Sequence, residues 1–169
     1  VSVLRGEGPR EGEPFIDDHI WTTEPIVDYL TQFSGIQPDD LDPKRTQRTL
    51  VSHKTAYKKL RMLTDLGCRF IGHGLAKDFR IINIFVPPSQ VIDTVQLYHS
   101  PAHPRNLSLR FLSWFLLKKD IQQGLALGVE QHDGHDSIED ALAALQLFRK
   151  YEQFERDGRL EDMLEDLYE

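Results

Sequence analysis

Apolar residues recur at i, i+4 and i+7 through Ala56, Leu60 and Leu63, and Gly67 follows, so this stretch reads as one face of a helix with a glycine stop. The same period returns in Ile138, Ala141, Leu142, Leu145 and Phe148 and predicts a long helix from about Ser137 past Lys150. Residues 108–118, with Phe111, Leu112, Phe115 and Leu116, predict a strongly apolar helix, and residues 160–167 a short acidic amphipathic one. Residues 1–5 and 15–20 read as strands, joined across the glycine-rich stretch 6–12 as an antiparallel hairpin. Further on, a short strand at 68–71, a helix at about 76–85 stopped by Pro87-Pro88, and a strand at 91–97 form a crossover unit. Such a unit predicts parallel pairing. Residues 37–43 are rich in turn formers, and residues 122–134 contain three glycines and no period, so both are expected to be loops. The sum is an α/β domain with a mixed sheet.

Length and composition add limits to this pattern. At 169 residues and 40% hydrophobic, the chain supports one domain over residues 1–169 with a full core. The lone cysteine, Cys68, excludes an internal disulfide framework and fits a reducing compartment, with the cytoplasm or nucleus as the default. No stretch approaches the roughly 20 apolar residues of a membrane span, so no membrane partner is expected. The chain opens at Val1 directly into a strand pattern, which predicts that it is a segment of a longer polypeptide.

The net charge of -7 gives no general attraction for polyanions. Locally, residues 44–61 hold seven Lys or Arg and no acid, while residues 152–169 hold eight acids against Arg156 and Arg159. Both runs read as solvated helix faces rather than as a groove for RNA.

Candidate chemistry concentrates in two segments. Asp78 follows the strand at 68–71 across Gly72-His73-Gly74 and lands in the first turn of a helix, at the strand end where α/β proteins tend to place ligands. The structural alternative is a carboxylate favoured there by the helix dipole. Asp140 lies three residues after Ser137, the spacing of a capping box, which explains it without chemistry. His135, just outside that helix, is a candidate to accept a proton near neutral pH. A zinc site built from His73, His132 and His135 is disfavoured, because paired cysteines are missing. Hard divalent cations suit Asp78 and Asp140 better. A serine hydrolase is disfavoured for want of a Gly-x-Ser-x-Gly elbow.

In their order, these segments resemble the second and third motifs of the DEDDh exonucleases, the DnaQ-like branch of the ribonuclease H-like fold. The third motif there is His, four residues, Asp, and His135 with Asp140 matches it. Asp28-Tyr29-Leu30-Thr31-Gln32-Phe33-Ser34-Gly35-Ile36 resembles the signature of the RNA-acting members. Together with Pro14-Phe15-Ile16-Asp17-Asp18, residues 72–80, Ser108-Leu109-Arg110-Phe111-Leu112 and residues 135–141, the likeness is strongest to the poly(A)-nuclease deadenylases.

The resemblance implies a ribonuclease H-like mixed sheet flanked by helices. It implies 3′-to-5′ shortening of mRNA poly(A) tails with release of 5′-AMP, in the cytoplasm. Asp78 and Asp140 become metal ligands for two Mg2+ ions, and His135 the general base. Its implied partners are single-stranded poly(A) RNA, a pseudokinase-like adaptor subunit and, through it, poly(A)-binding protein. The family's first motif, Asp-x-Glu on the central strand, is absent from residues 1–169. That strand is expected immediately before Val1. Two other readings stay open: a non-catalytic interaction module on the same fold, and a DnaQ-like exonuclease acting on other RNA or on DNA.

Overall fold

The computed structural model describes residues 1–122 and 136–169. Strand β1 (Ser2–Leu4) pairs antiparallel with β2 (Pro14–Ile20), with Val3 opposite Ile16, as the hairpin pattern predicts. Along β2 the side chains alternate, so Ile16 and Asp18 both point inward, and buried Asp18 is neutralised by Lys59. Unforeseen in the sequence, β3 (Thr49–Val51) pairs parallel with β2, and a four-residue helix α1 (Thr31–Ser34) precedes it. Within residues 37–43 a 3-10 turn forms at Pro38–Leu41.

Helix α2 (His53–Asp65) buries Ala56 and Leu60, as its period requires. Its end is a glycine stop with two reverse bonds, Gly67 N–H to the Thr64 carbonyl and Cys68 N–H to the Leu63 carbonyl, made possible by φ = 79° at Gly67. Strand β4 (Phe70–Gly72), helix α3 (Leu75–Ile82) and strand β5 (Val91–Asp93) form the crossover, with β4 and β5 parallel.

Two boundaries differ from expectation. Helix α3 ends at Ile82 because Asn83 turns left-handed (φ 60°) and returns its N–H to the Arg80 and Phe79 carbonyls; the prolines at 87 and 88 lie beyond the stop. Strand β5 ends at Asp93, whose carboxylate caps a new helix α4 (Thr94–Leu97). An acid that satisfies helix N–H groups outcompetes continuation of the strand.

Helix α5 (Leu109–Leu112), capped by Ser108, continues into a π-helical turn at Ser113–Leu117, so residues 108–118 are helical as read. Helices α6 (Ser137–Arg156) and α7 (Leu160–Tyr168) close the chain. No helix among the described residues is long and apolar enough to cross a membrane.

Two apolar clusters result. Tyr98, Leu112, Leu147, Met163 and Leu167 pack the helical half, and Val51, Ala56, Leu60, Ile82, Ile84 and Val86 the sheet half. Among the described residues the strands form two sheets, β1-β2-β3 and β4-β5. Helix α6 packs on both β1 and β4 and so holds the two sheets side by side. Arg149 of α6 fastens this arrangement, donating to the Gly6 carbonyl at 2.7 Å and to Glu11 at 3.2 Å.

Candidate active site

A groove of about 740 Å³ runs between the edges of β1 and β4. Asp78 and Asp140, more than 60 residues apart in sequence, both line it, together with His73 and Gln122. The sequence brought these two acids forward from separate motifs, and the fold places them on one cavity. Asp78 stands in the first turn of α3, as expected.

Asp140 plays no capping role. The N-cap of α6 is Asp136, which is extended (φ -82°, ψ 114°) and accepts from Ile138 N–H at 2.9 Å and Glu139 N–H at 3.4 Å. A carboxylate at the positive end of the helix displaces the serine hydroxyl from that task. Ser137 instead meets Ser2 of β1, Oγ to Oγ at 2.6 Å. Asp140 is left to face the groove, where Oδ1 accepts from Gln122 Nε2 at 2.9 Å. His135 lies outside the described residues, as does His132, and residues 123–134 of the expected loop do too.

The charge pattern favours a cation. Partial desolvation against the groove wall raises the Asp78 carboxyl above its ordinary value, and the like charges of Asp93 and Asp140 raise it further. Burial lowers the imidazole of His73, against the opposing pull of Asp93 and a hydrogen bond to the Leu107 backbone. Thr94 gives its one hydroxyl proton to the Gly72 carbonyl at 3.0 Å, so the 2.9 Å contact to His73 Nδ1 has the imidazole as donor.

Hard oxygen ligands crowded into mutual repulsion suit a divalent ion such as Mg2+. Among the described residues no three potential ligands come together. Zinc, disfavoured from sequence, gains no support from Cys68, which is exposed, outside the groove lining.

Three residues at or beside this site were not singled out from sequence. Gln122 carries no signal, being one polar residue in a stretch without period. Asp93-Thr94 does carry one: an acid followed by a hydroxyl residue at the end of an apolar run is a helix-start pattern.

Comparison with known proteins is consistent along the whole chain. The family model described as exonuclease matches residues 1–148. Among curated relatives, the PAN2-PAN3 deadenylation complex catalytic subunit PAN2 of Chaetomium globosum is 60% identical over 99% of this chain, and that of Schizosaccharomyces pombe 53% identical over 100%. The chain spans only 14% and 15% of those relatives' lengths. Among solved structures, the Neurospora crassa Pan2 catalytic unit, with protease and nuclease domains, superposes at a TM-score of 0.91 with 58% identity, over 99% of this chain and 26% of that one. The Saccharomyces cerevisiae Pan2 pseudoubiquitin hydrolase-RNA exonuclease module in complex with AAUUAA RNA superposes at 0.87 with 43% identity, again over 99% of this chain and 26% of that one.

Proposed function

The chain belongs to the exonuclease family and has its ribonuclease H-like fold, and we propose that it is the nuclease segment of a poly(A)-directed 3′-to-5′ exoribonuclease that releases 5′-AMP. The observation that carries the reading is the convergence of Asp78 and Asp140 on one groove from helices α3 and α6. Support for RNA, and for poly(A) in particular, comes from the deadenylation subunits to which the chain is so similar.

Exonucleases of this kind generally use divalent metals. Two bound Mg2+ ions would stabilise the attacking and leaving oxygens of an in-line displacement at phosphorus. Asp78 and Asp140 would hold them in the groove that both line. The remaining acids would come from an Asp-x-Glu strand laid between β1 and β4. Among the described residues β1 pairs with β2 alone and β4 with β5 alone, and both β1 and β4 line the groove, so a strand placed there would join the two sheets into one. His135 would take the proton from the attacking water.

RNA contact in an acidic protein would come from the cleft and from stacking rather than from a basic face. The basic run at 44–61 agrees: Arg45, Arg48, Lys59 and Arg61 are all engaged by acids. By the same likeness to PAN2-PAN3 complex subunits we propose assembly with a pseudokinase-like adaptor, recruitment through it to poly(A)-binding protein, and action in the cytoplasm.

The test is the full-length polypeptide incubated with labelled oligo(A) and magnesium. Asp78→Ala and Asp140→Ala are expected to abolish release of AMP, and His135→Ala to slow chemistry more than it weakens RNA binding. Undiminished activity in either aspartate variant refutes the assignment. Faster cleavage of DNA than of RNA would move the protein to the other DnaQ-like exonucleases.

A further inference from the structure

The turn that carries Asp78 into the groove is held from outside its own helix. Asp93, at the end of β5, accepts from Gly74 N–H at 2.9 Å and Val95 N–H at 3.0 Å through Oδ1, and from Leu75 N–H at 2.9 Å through Oδ2. Gly74 is the N-cap of α3 in a left-handed conformation (φ 76°, ψ 36°) and has no side chain with which to cap it. The first amides of α3 are therefore satisfied by a neighbouring strand. The next residue continues the pattern: Thr94, with no exposed surface, holds the Gly72 carbonyl and contacts His73 Nδ1. Every residue from 72 to 75 is thus pinned by Asp93 or Thr94. Asp78 is three residues beyond Leu75, one helical turn from the clamp.

We infer that Asp93 is a positioning residue of the metal site, whose carboxylate fixes the start of α3 so that Asp78 is presented to the groove it shares with Asp140. This rests on the function proposed above. Both oxygens are needed as acceptors. An asparagine keeps Oδ1 for Gly74 and Val95 but turns an NH2 group toward the Leu75 N–H, donor against donor.

The experiment uses the full-length polypeptide with Asp93→Ala, Asp93→Asn and Asp78→Ala beside the parent. Mn2+ affinity is measured by electron paramagnetic resonance, and hydrogen exchange is followed across residues 72–79. Residues that orient metal ligands typically cost about 10–100-fold in affinity when removed, and that range is expected for Asp93→Ala. Asp93→Asn, with the negative charge gone and two of three bonds kept, is expected to weaken Mn2+ several-fold and to speed exchange at Leu75 more than at Gly74. A Mn2+ affinity within twofold of the parent in both variants overturns the inference, whatever happens to thermal stability. If the parent itself binds no Mn2+, the proposed function fails and the positioning role with it. Faster exchange at Leu75 would then identify Asp93 as a structural cap alone.

Discussion

Gly72 closes β4 at the wall of the groove, and an alanine there tests how tightly the Asp78 turn is built. A Cβ at this position would lie 2.6 Å from Leu75 Cγ and 3.1 Å from Cδ1, well inside any ordinary contact. Gly72 is buried, and the backbone of Leu75 is held by Asp93, so neither side yields freely. Forcing a methyl into such a space costs about 1–3 kcal/mol. The Leu75 side chain is the clashing partner, and Leu75→Ala removes it at a cost of about 1–2 kcal/mol for a half-buried leucine. The double variant should therefore be more stable than the sum of the singles predicts, by about 1–2 kcal/mol, within the range measured for residues in contact. Urea unfolding of the parent, both singles and the double variant gives the cycle directly. Additive costs, or a Gly72→Ala variant as stable as the parent, would refute the packing argument.

Two further outcomes are expected. Because Asp78 has a raised pKa, the folded state holds its proton more tightly than the unfolded chain. Its contribution to stability is therefore full below the ordinary value of 3.8 and is lost as pH rises through the folded pKa. Metal-free protein should show this loss in thermal melts; Asp78→Asn should remove it, and added Mg2+ should stabilise the parent most above that window. Tyr98, 1% exposed, donates to the Leu147 carbonyl at 2.7 Å; Tyr98→Phe should cost about 0.5–1.5 kcal/mol by calorimetry, and no change would mean that the bond is replaced.

Local signals made much of the fold legible. The hairpin follows from two apolar runs and a glycine-rich turn, α2 from its period and Gly67, and the crossover from strand, helix and strand in short succession. Asp78 and Asp140 could be picked out as candidates by motif and chemistry together, and they line one groove. What stayed hidden was decided by competition between neighbours. Val91, Ile92, Val95 and Leu97 read as one strand because apolar spacing alone says nothing of the cap that Asp93 makes. Ser137 fits a capping box as well as Asp136 fits an N-cap, and only the extended backbone at Asp136 decides between them. Asn83 stops α3 through a left-handed turn that prolines farther on masked. Thr49 to Val51 is too short to announce itself, and its pairing depends on β2, about 30 residues earlier.

The hydroxyl contact between Ser2 and Ser137 spans 135 residues of chain, and the bond from Arg149 to Gly6 spans 143. Contacts so distant along the chain are slow to form, since loop closure must precede any reward from packing. During synthesis, β1 to β5 emerge well before α6, and Asp140 has no groove to share with Asp78 until α6 docks on β1 and β4. The order of translation therefore keeps the two candidate acids apart until α6 has been made, and a nascent chain stalled before residue 137 carries Asp78 without Asp140.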